Sequence, residues 1–547
     1  MTSEEDQSEL VAGAAVEPPP FADEAAPAPP AKAEGPSAAR SAAMVTAGII
    51  VSRLFGLVRQ RFVAHAFGTT ALGDALAAAF RVGNITQNLL GEGTLSASFI
   101  PVYAKLRAEG RIKDATHFAL SCLGLLILAS LGASLAGVLF APLLTRLIAT
   151  GFDGERLAQT TDLVRILFPM TGLLVLSAWA LGVLNAHRRF FLPYAAPVVW
   201  SLAQIAGLVV FGAWMHIEGV ELATLLAYSA LVGAGLQLLV LLPAARGLLG
   251  ELRPRFDRKD ESVREAATRL PAALLGRGVI QISGLIDTAL VSFLGAGAIA
   301  SFNYAQTVYL LPMSLLGTGE AAAALPEMAG ETAEQNRERR DAAVRKRLGA
   351  SLARVTVLTV PATLAFLLLG RELITLLLQS GSFDRAATNR VEPLLAAYGF
   401  ALLGNASGRV LTTTSYAIGD AKTPARYAVY RVVASTLVAL ALMRFFDVMG
   451  VVLGAVIAAW VETFALGYKL RTQIGGLGLD QIPVQKTLLL GVCSVGPAYG
   501  LRWLLPESFT ATTLGSAVVL AVFGAAFAVA APGLGLFDLR ALLRRRR

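Results

Sequence analysis

Three arginines, Arg53, Arg59 and Arg61, sit in one apolar stretch, SRLFGLVRQRFVAHAFG, and the later stretch FRVGNITQNLLGEGTLSASFIP carries Arg81 and Glu92 among Gly83, Gly91 and Gly93. Both stretches are greasy enough to cross a bilayer. An arginine at the centre of a bilayer costs roughly 2.5–3.5 kcal/mol on insertion scales. A chain that places several there must shelter them in a watery cavity and use them. The guanidinium group presents a planar fork of donors that matches phosphate and carboxylate oxygens. The chemistry expected is therefore the holding of an anion inside a membrane.

Eight basic residues lie inside or at the border of apolar segments: Arg53, Arg59, Arg61, Arg81, Arg165, Arg277, Arg409 and Arg431. Arg53 and Arg59 are about 9 Å apart along a helix and about 120° apart around it, so they line one broad wall at two depths. Arg61 falls nearer the opposite flank, where it pairs locally or faces another helix. Arg81 and Arg431 either join the cavity or pair with an acid. The embedded acids are Glu92, Asp287, Glu320 and Glu462, with Asp74 at an interface. Each either neutralises an arginine or binds a coupling cation. Glu92 stands between Gly91 and Gly93, which allow a helix to unwind and expose backbone groups. Asp287 follows GRGVIQISGLI and reads as a structural partner or a cation ligand.

The elements that must position these groups follow from composition. Of 547 residues 55% are hydrophobic and 16% charged, where a soluble chain would be nearer a quarter charged. Hydrophobic runs long enough to span the bilayer recur along almost the whole chain. An all-α integral membrane protein of about fourteen transmembrane helices is expected. Cys122 and Cys493 read as core residues, and His65, His117, His187 and His216 lack ligand spacing, so no disulfide framework or metal site is expected. No G-x-x-x-x-G-K-[ST] loop is present, so neither nucleotide nor other cofactor is implied, apart from an unassigned coupling cation, and the chain reads as a non-enzyme. The net charge of +9 does not point to nucleic acid, because it follows the links of a membrane topology.

With both ends cytoplasmic, the inner links and the C-terminus hold thirty Lys and Arg and the outer links hold seven, which orients the chain. LLGEGTLSASFIP ending at Pro101 echoes LLGTGEAAAALP ending at Pro326, and NAHRRFFLP ending at Pro193 echoes YAIGDAKTP ending at Pro424. The offsets of 225 and 231 residues cover six spans, so the two halves run parallel. The expected organisation is an Ala/Pro/acidic disordered tail (1–43), a six-helix bundle (44–246) and a basic link (247–267). A second six-helix bundle (268–474), two extra helices (485–534) and a basic tail (535–547) follow, with the bundles around a central cavity.

From about Met44 to Leu470 the chain resembles the MurJ/MviN lipid II flippases of the multidrug/oligosaccharidyl-lipid/polysaccharide exporter superfamily. The strings that carry the likeness are SRLFGLVRQ, GEGTLSASFIPVY, LNAHRRFFLPYAAP, QISGLIDT, LLPMSLLGTGEAAAALP and GDAKTPARYAVY. The resemblance implies a multi-pass bacterial inner-membrane transporter that moves an undecaprenyl-diphosphate-linked peptidoglycan precursor outward for cell-wall synthesis. It implies lipid II as partner, with cell-wall enzymes as further candidates. Arg53 and Arg59 match the family's essential cavity arginines, Asp74 an acid at the outer end, and Arg409 a basic position of the tenth helix. The pair 485–534 matches helices that build a lipid-tail groove. The chain departs from the pattern at Gln60, Gln87 and Thr307, where the family has an acid and two arginines. Arg165 and Arg277 are the candidates for relocated charge. Rival readings are export of another polyprenyl-diphosphate oligosaccharide and, further off, a multidrug antiporter.

Overall fold

The computed structural model describes residues 36–189, 191–313 and 336–536, and the regular structure among them is helical apart from one isolated bridge between Ser380 and Phe383. The N-terminal tail up to residue 35, Glu320, Pro326 and the basic tail beyond residue 536 lie outside the described residues. The first half comprises α1 (Pro36–Phe67), α2 (Ala71–Leu90), α3 (Glu92–Ala108), α4 (Ile112–Leu139), α5 (Ala141–Ile148), α6 (Gly154–Ala186), α7 (Phe191–Ala195), α8 (Pro197–Gly207) and α9 (Gly219–Leu249). A π-helical turn, Leu208–Trp214, continues α8. The second half comprises α10 (Glu261–Ser292), α11 (Ala298–Pro312), α12 (Arg337–Leu368), α13 (Gly370–Leu377), α14 (Arg385–Ala417) and α15 (Lys422–Ile474). The chain finishes in α16 (Val484–Leu504), the short α17 (Glu507–Thr510) and α18 (Thr513–Gly533).

By length and apolarity eight of the described helical stretches suffice to cross a membrane. Several of the expected spans are divided rather than continuous. The break between α2 and α3 falls at Gly91, inside the GEG triplet, where Gly91 N–H still bonds Gln87 O at 2.7 Å. The 53-residue α15 is two helices joined at Asp447, whose φ of 48° interrupts the spiral.

Small residues let the helices approach closely, as packing in a lipid solvent requires. Gly172 of α6 faces Ser130 and Ser134 of α4, and Gly404 of α14 lies under the Trp460 ring of α15. Thr463 Oγ1 donates to Gly404 O at 2.8 Å across the same contact. Trp179, fully buried, donates from Nε1 to Ala119 O at 3.0 Å and ties α6 to α4.

Two apolar clusters fill the first half, one centred on Leu167, Met170 and Leu226, the other on Phe99, Phe118 and Trp179. A third fills the second half around Tyr398, Leu402 and Val452, and it also takes in Ala64, Ala78 and Phe152 of the first half. Smaller clusters fix α16 and α18 against α12 and the residue that follows it, Leu369. Arg502 of α16 pairs with the buried Glu372 of α13 at 3.1 Å, and Arg371 and Arg385 both reach Glu507 of α17. The last helices are therefore fastened to the second half. Trp214, Phe445 and Trp503 stand exposed at helix ends, where amphipathic rings suit a membrane–water interface.

Candidate functional site

Arg53 and Arg59 both lie on α1 and both are partly exposed. The surroundings of Arg59 are built by α8. Its Nη1 donates to Gln204 Oε1 at 3.2 Å, and its Cζ lies 4.9 Å from the centroid of the Trp200 ring. Trp200 and Gln204 are four residues apart, which puts them on one helix face. Trp200 Nε1 donates to Ala230 O of α9 at 3.1 Å, and Gln204 Nε2 donates to Trp200 O at 3.2 Å. The Nε of Arg59 is buried without a hydrogen-bond partner. Such a donor costs about 1–3 kcal/mol until it meets an acceptor. This wall is cationic, ordered and short of one acceptor.

A second group forms in the other half. Arg431 Nη1 donates to Glu462 Oε2 at 3.0 Å, and Asp287 of α10 lies within electrostatic reach of both Arg431 and Arg81. Arg81 belongs to α2 and lies across Gly284 of α10, where any side chain would collide with its guanidinium. The charge of Asp287 is thus shared between a cation of each half. Tyr309 and Tyr398 stack at 4.9 Å beside this group, and Asn405 Nδ2 donates to Tyr309 OH at 2.8 Å. Arg409, one turn beyond Asn405, is partly exposed and acts electrostatically on Tyr309.

The two halves meet again at the C-terminal end of α1 and just beyond it. Asp74 in the first turn of α2 is fully buried and accepts from Gly297 N at 2.7 Å and from Ala300 N at 2.8 Å. These are free donors at the start of α11, where a helix carries partial positive charge. Arg156 Nη1 lies 4.0 Å from the same carboxylate. Around it Tyr304 OH donates to Gly68 O at 3.3 Å, Ser382 N donates to His65 O at 2.8 Å, and Gly151 N donates to Ser292 Oγ at 2.8 Å. Gly297, with φ of 86°, runs so close to Thr69 O that a side chain would collide with it. Arg61 adds a donation from Nη1 to Leu376 O. The result is a closed seam held mostly by side-chain-to-backbone hydrogen bonds.

Asp74, which the sequence puts at an interface as a neutralising or coupling acid, lies in this seam, and its neighbours are helix-terminal N–H groups. Arg165, expected as a relocated cavity cation, pairs with Asp162 at 2.9 Å with nearly half its side chain exposed (47%). The spacing of three residues on one helix explains the pair. Glu462 is the partner of Arg431, and Asp287 lies between arginines. The side chains of Arg277 and Glu92 lie outside the described residues. Of the departures, Gln60 is buried, Gln87 is partly exposed, and Thr307 returns its hydroxyl to Asn303 O at 2.8 Å. No group of three His, Cys, Asp or Glu that could hold a metal occurs among the described residues.

Trp200, Gln204, Tyr309, Tyr398 and Asn405 were not singled out from sequence. A polar residue on an otherwise apolar helix, such as Gln204 in PVVWSLAQIAG, was the available signal.

A family model described as "Lipid II flippase MurJ" matches residues 63–523, a stretch that begins just after Arg59. A probable lipid II flippase MurJ of Rhizobium tropici is 32% identical over 422 residues, covering 76% of this chain and 77% of that protein. A solved structure titled "Lipid II flippase MurJ, inward closed conformation" superposes with a TM-score of 0.71 at 19% identity, covering 90% of this chain and 99% of the other. An inward-facing multidrug resistance MATE family transporter of the MOP superfamily superposes at 0.64 with 17% identity, covering 81% and 99%. At these identities the two structures speak for the fold.

Proposed function

The chain belongs to the lipid II flippase MurJ family, and we propose that it carries lipid II from the inner to the outer leaflet of the bacterial inner membrane. The family match over residues 63–523 is the observation that carries this reading. It is a transport function, and the residues accord with it. Arg53 and Arg59 provide donors for a diphosphate, held on a wall that is polar within an apolar bundle.

The cycle proposed is alternating access between the halves 44–246 and 268–474, joined by the link 247–267, with a central cavity between them. The seam at Asp74 closes the outer end while the headgroup enters from the cytoplasm. It parts when the halves rock and the headgroup leaves. Both termini are read as cytoplasmic from the thirty-to-seven partition of Lys and Arg. The pair 485–534, fastened to the second half, is read as the side along which the lipid tail passes. An inside-negative potential favours outward movement of an anion by about 2.3 kcal/mol per charge per 100 mV if it crosses the full field. The cycle therefore runs without nucleotide or resident cofactor, and Asp287, shared between two arginines, is the acid best placed to couple it.

The test is complementation of a strain depleted of its own lipid II flippase, at matched membrane expression. Wild type should restore growth, and Arg59→Ala should not. Growth with the arginine variant would remove the cationic wall from the mechanism, and failure of well-inserted wild type would overturn lipid II as cargo.

A further inference from the structure

We infer that Trp200 and Gln204 are positioning residues for Arg59, fixing its guanidinium so that the substrate's diphosphate meets a donor already ordered; the inference rests on the lipid II reading above. Three observations converge on it. The Trp200 face lies 4.9 Å from the arginine Cζ, a distance at which the ring quadrupole attracts the cation. That ring is itself held, by its bond to Ala230 O at 3.1 Å and by the edge of Phe80 with centroids 6.5 Å apart. Gln204, fully buried, occupies Nη1 through its oxygen while its NH2 is taken by Trp200 O. The reversed amide would set donors against donors, so the network admits one orientation.

Gln204 is also neutral. It restrains Arg59 without cancelling the charge, which a carboxylate at the same place would do. A free arginine side chain would have to be ordered during binding, whereas here the packing of α1, α8 and α9 has ordered it beforehand. Close contact at Gly233, where an ideal Cβ would stand 3.1 Å from Trp200 O, keeps α8 on α9.

The experiment measures binding of purified lipid II and of undecaprenyl diphosphate to the full chain in nanodiscs. Trp200→Leu is expected to weaken both by about three- to thirtyfold and by the same factor, because the diphosphate is common to them. Trp200→Phe, which keeps a ring, should lose less, and Gln204→Glu should lose more than Gln204→Leu. In an Arg59→Ala background Trp200→Leu should cost nothing further. Losses that multiply in that background, or equal losses for the Phe and Leu variants, overturn the inference in favour of simple helix packing. A ligand-free readout separates it from the functional reading. With 5-fluorotryptophan incorporated and the Trp200 resonance assigned through Trp200→Phe, Arg59→Met should move that resonance. A resonance that stays put overturns the positioning contact whatever the cargo. A resonance that moves in a protein binding neither lipid overturns the cargo and keeps the contact.

Discussion

Replacing Asp74 by Asn should open the seam that the proposed cycle sets at the outer end. The carboxylate accepts two hydrogen bonds from α11, at 2.7 Å to Gly297 N and 2.8 Å to Ala300 N, with Arg156 at 4.0 Å. Hydrogen bonds to a charged group contribute about 1.5–3 kcal/mol each. An amide keeps one acceptor oxygen and turns its NH2 towards the other donor, so one charged bond is lost and the remaining one becomes neutral. The closed state should lose about 2–3 kcal/mol, which raises the open fraction by about 30- to 150-fold while that state is minor. Asp74→Ala should lose more. The assay uses Ala300→Cys in a chain with Cys122→Ser and Cys493→Ser. Ala300 is 2% exposed, and its Cβ would stand 3.5 Å from a Cβ on Gly73 of α2, so it faces the seam. Labelling by a membrane-impermeant maleimide from the outer side should accelerate in the Asn variant by a similar factor. A rate unchanged within about twofold would refute the seam as an energetic lock, since the bonds would then contribute no more than about 0.4 kcal/mol.

Two further outcomes follow from the geometry. Arg502→Leu strands Glu372, only 2% exposed, and should destabilise the protein by about 2–4 kcal/mol with a lower Tm, while adding Glu372→Gln should recover part of it; no recovery would mean that Arg502 acts through its bond to Leu368 O at 3.0 Å instead. His187, in the link after α6, shares a 2.9 Å hydrogen bond with Tyr103 OH, and burial first, then Arg107 and Arg189, push its pKa down from 6.5 to about 4. The folded state holds the imidazole neutral, so this contribution is full above pH 6.5 and is lost as pH falls to about 4, where the folded form also protonates. His187→Gln should make thermal unfolding less pH-dependent across that window, and an identical profile would exclude His187 as a source of acid lability.

The sequence carried the local and compositional facts far. Helix-length apolar runs read as helices because a backbone in lipid must satisfy its own hydrogen bonds. GEG predicted a weak point, and the helix breaks there, since glycine loses nothing by leaving the spiral. The family could be read from strings in order. Arg59 could be read as a buried cation in need of a partner. The choice of partner could not, because Gln204 is 145 residues away and is brought to it by the packing of α8 against α1. Arg165 shows the opposite limit. It looked embedded by position, yet its partner Asp162 is one helical turn away and both side chains are exposed.

What the sequence by itself determined is the solvent this protein lives in and the cost of each charge placed among apolar neighbours, because those depend on composition and helical period. Tertiary structure alone decided which charges answer each other. Asp74 caps a helix 223 residues further along the chain, and Asp287 is divided between Arg81 and Arg431. Electrostatic partnership is a property of distance in space, and spatial distance is set only when apolar faces pack.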